Sequence, residues 1–424
     1  MASVHANEQL LFSILLQLIL MIGAARILNG VFRAMGQPGV IGEIVAGLML
    51  GPSLFGHFFP GISLSIFGAK ASPPITMLSQ IGLILLMFQI GADFEFGHLR
   101  SAKMKRATLL IAIGSIVVPF GLGLWLGFAS QPSIAPSIDP LTYALFCGVA
   151  LAITAVPILG RILREFELTR TPIGVVAISA AAINDVVGWV MLACISAYAT
   201  TMFSTTFLLW RLLAIGALLL VLRFPLSPLA DWLVRRYPVV DGRLPANLMA
   251  AVLCLTFALG IATYQIGIFA IFGGFACGLL FHRHTEFVAA WHRQAGHFTL
   301  VFFLPVFFTF TGLRTNLLGL APSDLGWLAL VLAAAIGGKL VPVFLAARTA
   351  GFDTNESSIL ASLMNTRALM ELIVLNIGFD LGFLPQTMFT MLVVMAVATT
   401  LMTGPLLKLL LPRVGHVVLR AAEA

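Results

Sequence analysis

The sequence predicts an all-α membrane protein with about thirteen transmembrane helices. Of its 424 residues, 60% are hydrophobic and only 10% are charged, and the mean hydropathy is +1.04. A soluble domain carries about 25% charged residues, so this composition indicates repeated crossing of a lipid bilayer. One acid, Asp185, nevertheless lies in the middle of a long apolar stretch. A buried carboxylate is costly there, and such residues usually bind a cation or a proton.

Thirteen apolar segments are found with a window of about 20 residues, the length that spans the hydrocarbon core. The second and ninth are short and rich in glycine. They begin near Leu10, Pro38, Ile75, Thr108, Leu141, Pro172, Thr206, Ala246, Ile268, His297, Leu325, Ser357 and Gln386. The first has no positively charged flank or cleavage site, so we expect a retained helix rather than a signal peptide.

Positive charges are distributed very unevenly along the chain. All but five of the 24 Lys and Arg residues fall in the odd-to-even loops or in the C-terminal tail. The exceptions are Lys70, Arg211 and Arg314 on the other side, and Lys339 and Arg367 inside spans. The positive-inside rule then predicts an external N-terminus and a cytoplasmic C-terminus, in a bacterial inner (plasma) membrane. The formal charge of +7 reflects this orientation rather than nucleic-acid binding.

Residues 1–424 are predicted to form a single transmembrane domain with two inverted repeats, approximately 38–200 and 246–411. Six spans precede the seventh and six follow it. Corresponding spans are then seven apart, and because seven is odd, the second half is inverted relative to the first. Residues 224–243, with three arginines, are expected to form an interfacial linker between the halves. Inverted repeats place the substrate site near the midplane on interrupted helices.

Two interruptions occur at corresponding positions of the repeats. In the fifth span, Pro157 removes a backbone donor, which can free the carbonyls near Ile153 and Thr154. In the twelfth, residues 362–371 form a polar cluster. A simple kink at Pro157 is the alternative, but paired interruptions favour a functional role.

A cation site of oxygen ligands is predicted around Asp185. The carboxylate, the Asn184 carbonyl, the Thr154 hydroxyl and the backbone oxygens of Ile153 and Thr154 would hold Na⁺ or K⁺. One formal charge suits a monovalent ion better than Ca²⁺. Because burial disfavours the charged carboxylate, proton and cation would compete for it, and no cofactor is needed. The alternative is a neutral, hydrogen-bonded structural acid.

Four further charged residues lie within spans. Lys339 either pairs with Asp185 or Asn184, or hydrogen-bonds carbonyls at the helix interruption. Arg367 and Glu371, spaced i, i+4, are predicted to form a structural ion pair, with Glu43 as a possible further partner of Arg367. Four histidines flank one cytoplasmic loop and either sense pH or are simply solvated: His282, His284, His292 and His297.

Four blocks of sequence resemble one family in order along nearly the whole chain. Residues 37–52 read QPGVIGEIVAGLMLGP, 154–163 read TAVPILGRIL, 180–185 read AAAIND, and 365–378 read NTRALMELIVLNIG. Together they are similar to the monovalent cation:proton antiporter-2 family, which includes Kef-type potassium systems, plant cation/proton exchangers and bacterial Na⁺/H⁺ antiporters. The resemblance implies a homodimer that works by elevator-like alternating access, with the ion site where two broken helices cross. A role in pH homeostasis is expected.

The resemblance also assigns roles to individual residues. It implies that Asp185 carries ion and proton, that Asn184 is its neighbour, that Thr154 is a ligand on the crossing helix, and that Lys339 is a basic partner. Electrogenic members have two adjacent acids, but here the first is Asn184. We therefore expect electroneutral exchange of one cation per proton, unless Lys339 also releases a proton. No cytoplasmic nucleotide-binding regulatory domain, frequent in Kef-type proteins, is expected.

Other classes of protein fit the sequence less well. An enzyme is not expected, because the sequence shows no nucleophile–base pair, metal cluster or phosphate loop. A potassium channel would need a selectivity filter such as TVGYG. A sodium-coupled symporter of organic solutes would need a larger cavity and usually a second sodium site. A non-transporting sensor of the same fold is distinguished only by flux measurements.

Overall fold

The protein is almost entirely helical, as predicted. The computed structural model describes residues 2–68, 73–93, 102–169, 171–200, 205–266, 269–367 and 369–413. Within these ranges no β-strand forms, and a single isolated bridge joins Val240 and Arg243. Four residues used to predict the orientation lie outside the described ranges: Lys70, Arg100, Arg170 and Arg420.

The described residues form nineteen α-helices. The first eleven are α1 Ala2–Ala34, α2 Gly39–Leu50, α3 Phe55–Phe58, α4 Pro60–Phe67, α5 Pro73–Ala92, α6 Ala102–Ile134, α7 Pro140–Ala152, α8 Val156–Glu165, α9 Pro172–Thr200, α10 Thr205–Val221 and α11 Ser227–Arg236. The others are α12 Ala246–Ile266, α13 Ala270–Phe281, α14 Thr285–Trp291, α15 Leu304–Leu313, α16 Asp324–Thr349, α17 Thr354–Met364, α18 Leu369–Asp380 and α19 Gln386–Leu410. Short π-helical segments at Leu222–Leu226, His292–Gly296 and Thr299–Phe303 connect some of them.

Fewer helices pass as full membrane spans than the thirteen predicted. By length and composition, ten helical stretches in the described residues can cross a bilayer, or eleven if Thr285–Gly296 and Thr299–Leu313, bent by 42°, count as one. The two remaining predicted spans, the fifth and the ninth, contain the shorter apolar helices Pro140–Ala152 and Ala270–Phe281. The count falls because both helices are short: α7 stops at the break before Pro157, and α13 ends at Phe281 after twelve residues.

The chain divides into two compact units. The first comprises Met1–Gly23, Gly61–Glu95 and Ala193–Phe310. Its core is an aromatic cluster in which the Phe88 ring lies 4.5 Å from Trp291 and 6.0 Å from Phe281, centroid to centroid. Two of the four histidines noted in the sequence pair with acids within this unit: His284 with Asp231 at 2.8 Å and His292 with Asp93 at 2.5 Å.

The second unit comprises Ala24–Pro60, Phe96–Leu192 and Thr311–Ala424, and it contains every predicted site residue. In it α6 packs against α7 and α16, α16 packs against α17, and α19 packs against both α16 and α17. The two helices that follow the interruptions, α8 and α18, belong to the same unit.

Two glycines bring α6 and α7 unusually close together. A Cβ added to Gly123 would lie 2.6 Å from the Cys147 carbonyl oxygen, and one added to Gly127 would lie 2.5 Å from the Ala144 Cα. The spacing of four residues places both glycines on one face of α6, which is the small-residue pattern that membrane helices use for close approach. This contact fixes α7, whose C-terminal end supplies one side of the site.

We expect Gly123→Ala to destabilise the protein by about 1–3 kcal/mol, because the added methyl group overlaps backbone that cannot move aside. Gly121→Ala, on the same helix, is the matched control, since nothing lies within 4 Å of its added Cβ. The measurement is thermal unfolding in detergent. Equal melting temperatures for the two variants would contradict the inferred contact.

Candidate ion-binding site

Two helices of the second unit are interrupted in their middle. α7 ends at Ala152 and α8 begins at Val156, while α17 ends at Met364 and the described part of α18 begins at Leu369. Pro157 has no N–H, so it cannot donate to the Ile153 carbonyl as a helical residue would. Ile153 is accordingly extended, with φ −70° and ψ 143°. Each interruption exposes polar backbone groups that need partners.

The two interruptions contact each other directly. The Ala155 amide donates to the Thr366 carbonyl at 3.2 Å, and the Thr154 hydroxyl donates to the Met364 carbonyl, also at 3.2 Å. The broken helices therefore cross at these residues, as the sequence predicted. Each break supplies part of the hydrogen bonding that the other one lacks.

Thr154 is the most connected side chain at the crossing. Its hydroxyl donates to Met364 and accepts from the Lys339 ammonium at 2.6 Å and from the Asn184 amide nitrogen at 3.1 Å. A hydroxyl has one hydrogen to donate and two lone pairs to accept with. The hydrogen-bonding capacity of Thr154 is thus fully used.

Lys339, fully buried in α16, lies at the C-terminal end of α7. Its ammonium donates to the Ala152 carbonyl at 2.6 Å as well as to Thr154. Of the two alternatives from the sequence, hydrogen bonding at the interruption describes this geometry. The partial negative charge of a helix C-terminus favours a cation at this position.

Asn184 faces the crossing from α9. Its amide nitrogen donates to Thr154 and, at 2.8 Å, to the hydroxyl of Ser115 on α6. The carbonyl oxygen of its side chain is buried and accepts no hydrogen bond from the described residues. This oxygen is therefore available to a ligand.

Asp185, on the same helix, is 2% exposed. Neither carboxylate oxygen makes a hydrogen bond of normal geometry to a described residue, although the Val156 amide and the Lys339 ammonium are close enough to interact electrostatically. Val156 is the first residue of α8, so a helix N-terminus with its partial positive charge faces the acid.

Ile153 reaches the acid-bearing helix through a close contact. A Cβ added to Gly188, three residues beyond Asp185, would lie 2.9 Å from the Ile153 side chain. A glycine at this position lets the interruption approach α9. The structure thus brings Ile153, Thr154, Asn184, Asp185 and Lys339 together in one place.

Arg367 and Glu371 form a fully buried pair beside this crossing. Their closest charged atoms are 4.0 Å apart, and both side chains are 0% exposed. Arg367 also donates to the Ala150 carbonyl of α7 at 3.0 Å and to the Ala335 carbonyl of α16 at 3.1 Å. The guanidinium therefore joins three helices, in addition to offsetting one acid.

Glu43 does not join that pair, which corrects the expected partnership with Arg367. Its carboxylate accepts from the Asn29 amide at 2.6 Å and lies 3.4 Å from the Arg26 guanidinium. Both partners are on α1, whose end precedes α2 by only a few residues, so local chain connectivity provides a nearer cation than Arg367. Glu43 thus ties the first two spans together.

Two contributors to the site were missed from the sequence. Ser115 holds the Asn184 amide, and the Thr400 hydroxyl accepts from the Arg367 backbone amide at 3.2 Å. Small hydroxyl side chains are common in membrane helices and usually bond back to their own helix. Nothing in the local sequence distinguished these two from the others.

The available oxygens suit a monovalent cation. The Asp185 carboxylate and the Asn184 carbonyl make no hydrogen bond of normal geometry to a described residue, and both are hard oxygen ligands of the kind Na⁺ and K⁺ prefer. They carry one formal charge between them. The same carboxylate oxygens can instead take a proton, which makes the two ligands alternatives at one position.

The fold is that of a known class of membrane transport proteins. Two solved structures of the sodium proton antiporter MjNhaP1 from Methanocaldococcus jannaschii match 98% and 97% of this chain with TM-scores of 0.64 and 0.68. The matches cover 100% and 98% of the two MjNhaP1 chains, at 16% and 15% sequence identity. At this level of identity the likeness concerns the fold alone.

Sequence comparison identifies the family. The model of the transmembrane part of sodium/hydrogen exchangers matches residues 18–413, and the chain therefore belongs to the sodium/hydrogen exchanger family. It is an integral membrane protein, and the predicted resemblance to cation/proton antiporters is confirmed.

Individual relatives match almost the whole chain. The Na⁺/H⁺ antiporter NhaS4 of Synechocystis is 37% identical over 96% of this chain and 99% of its own length. Cation/H⁺ antiporter 17 of Arabidopsis thaliana is 36% identical, and K⁺/H⁺ antiporter 1 of Saccharomyces cerevisiae is 30% identical, each over 94% of this chain. The chain spans about half the length of these two, 48% and 46%.

We expect Arg367→Met to destabilise the protein by about 3–5 kcal/mol, because it leaves the buried Glu371 carboxylate uncompensated. The double variant Arg367→Met/Glu371→Gln should recover part of that loss, since it removes the unpaired charge as well. Thermal unfolding in detergent measures both. A single variant as stable as wild type would show that Glu371 does not depend on the guanidinium.

Proposed function

We propose that this protein is a secondary active antiporter that exchanges a monovalent cation, Na⁺ or K⁺, for H⁺ across the membrane. Asp185 binds the cation and the proton in turn. Asn184 and Thr154 contribute side-chain oxygens, and the Ile153 carbonyl, freed by Pro157, is a further ligand. The membership in the sodium/hydrogen exchanger family and the antiporter activity in the names of the relatives support this function.

One observation carries the proposal. Both Asp185 oxygens and the Asn184 carbonyl oxygen are buried, and none of them makes a hydrogen bond of normal geometry to a described residue. An unpaired carboxylate in a low-dielectric interior is costly, so native proteins retain one where a ligand satisfies it. A cation and a proton are the two ligands that a lone carboxylate at this depth can take.

Competition at one carboxylate couples the two fluxes. With the proton bound, the acid is neutral and holds no cation; with the cation bound, its charge is offset and no proton is needed. Either loaded form is less costly to move through the membrane than the bare charge. Exchange follows if only the loaded forms change the side of the membrane to which the site opens.

Lys339 supports the site when no cation is bound. Its ammonium interacts with Asp185 electrostatically and occupies the Thr154 hydroxyl and the Ala152 carbonyl. A cation arriving at Thr154 must take over one of these bonds. We propose that Lys339 stabilises the cation-free state in this way.

A single titrating acid at the site predicts a one-for-one, electroneutral exchange, with Asn184 in place of a second acid. We further propose that the chain forms a homodimer in a bacterial inner membrane, with its N-terminus outside and its C-terminus in the cytoplasm. The site-bearing unit then moves as the transporting body of an elevator, and the exchange serves pH homeostasis. No cofactor takes part in this scheme.

The decisive experiment is cation-driven proton flux in proteoliposomes that contain a pH-sensitive dye, with Na⁺ and K⁺ added separately. We expect flux with one or both ions and none for Asp185→Asn, which cannot release a proton. Asp139→Asn is the matched control, because Asp139 caps α7 by accepting from the Thr142 amide, a role in which Asn is equally effective. Retained exchange by a folded Asp185→Asn protein would refute the proposal.

The stoichiometry can be tested through Asn184. Asn184→Asp adds a second acid to the site, and we expect exchange to become sensitive to an imposed membrane potential, whereas wild-type exchange is insensitive. Asn355→Asp makes the same change at a partly exposed position of α17, outside the site, and should stay insensitive. If Asn184→Asp is active but its exchange does not respond to the membrane potential, the inference of electroneutral exchange from a single acid is contradicted.

A further inference from the structure

The Asn184 side chain has two chemically opposite ends, and only one of them can hold a cation. The carbonyl oxygen attracts a cation, while the NH₂ group repels it. Which end faces Asp185 is decided by the groups around the amide. Two hydroxyls surround it, Thr154 on the crossing and Ser115 on α6.

We propose that Ser115 is a positioning residue for cation binding: its hydroxyl fixes the orientation of the Asn184 amide, so that the carbonyl oxygen is presented to the cation. This inference rests on the proposed exchange at Asp185. It adds to that exchange a residue from a helix that contributes no ligand of its own.

The hydrogen-bond directions at Ser115 favour one orientation of the Asn184 amide. Its hydroxyl donates to the Ala112 carbonyl at 3.0 Å, so its only hydrogen is used within its own helix. The oxygen can then only accept, and the group 2.8 Å away on Asn184 must be a donor. The NH₂ end of the amide therefore faces α6.

Thr154 imposes the same choice independently. Its hydrogen goes to the Met364 carbonyl, and one of its lone pairs is taken by Lys339. It can offer Asn184 only the second lone pair, again to a donor. Rotating the amide by half a turn would place its carbonyl against two oxygens and its NH₂ group at the cation position.

Burial makes this control effective. Ser115 is 0% exposed and Asn184 is 1% exposed, so bulk water does not compete for these hydrogen bonds. If the Ser115 hydroxyl is removed, only Thr154 still selects the orientation. Thr154 itself must rearrange when a cation arrives, so Ser115 is the constant part of the pair.

Ser130 provides a matched control on the same helix. It is equally buried and bonds back to the Gly127 carbonyl at 3.4 Å, but its second partner is the Tyr143 hydroxyl at 3.1 Å rather than a site residue. Replacing either serine by alanine removes the same atoms from α6. A general effect of losing a buried hydroxyl should appear in both variants.

The experiment compares wild type, Ser115→Ala, Ser115→Cys and Ser130→Ala in the same proteoliposome assay, with apparent KM for Na⁺ or K⁺ and Vmax measured separately. We expect Ser115→Ala to raise KM about two- to ten-fold, the loss of one hydrogen bond, with Vmax within about two-fold of wild type. Ser115→Cys keeps the shape of the side chain, but its larger sulfur is only a weak acceptor, so the same direction is expected. Ser130→Ala should leave KM unchanged.

Three results would overturn the inference in a working exchanger: an unchanged KM in both Ser115 variants, an equal rise in Ser130→Ala, or a loss of Vmax that saturating cation does not restore. An absence of flux in wild type would instead refute the proposed exchange itself. The two failures are thus distinguishable in one assay.

Discussion

The site depends on two helix ends buried inside the membrane, the end of α7 and the start of α8, whose polar backbone groups need partners. Within a bilayer, backbone carbonyls and amides that leave a helix must find partners inside the protein, since water is absent. At the end of α7 those partners are cationic side chains: Lys339 on the Ala152 carbonyl and Arg367 on the Ala150 carbonyl. Two costly charges are therefore held in place by the backbone that needs them, and the position of the acid follows from theirs.

On the other side of the same break, the helix end carries a partial positive charge instead of a negative one. Where α8 begins, the Val156 amide end of the helix faces Asp185, so a negative side chain is matched to a positive helix end. One interrupted helix thus arranges cations and a carboxylate a few residues apart. Gly123 and Gly127 of α6 pack closely against α7, and this contact holds the break next to Ser115, which is also on α6.

Much of the site was predictable because its residues violate the local pattern. Asp185, Lys339, Arg367 and Glu371 are rare residue types in apolar spans, and Pro157 marks a break. The all-helical fold followed from the composition and the apolar spans, and the crossing of the broken helices followed from the resemblance to the family. The assignments of ligand and carrier remain predictions that flux measurements will test.

The contacts that could not be predicted depend on which neighbouring helix a side chain faces. Ser115 is an ordinary residue in its segment, and only the approach of α6 to α9 gives it a role. The partners of Glu43 were missed for a related reason: sequence suggests that two opposite charges pair, but it does not say which cation is nearer. Periodicity places a residue on a helix without saying which neighbouring helix it faces.

The three hydrogen bonds at Thr154 also restrict which positive groups can use its oxygen at the same time. Because this oxygen has no spare lone pair, a metal ion and the Lys339 ammonium cannot both use it while Asn184 remains bound. Joint occupancy would place two positive charges on one neutral hydroxyl. In the proposed scheme, a cation can therefore bind Thr154 only after Lys339 has left it, and the cation-bound and cation-free arrangements of the site exclude each other.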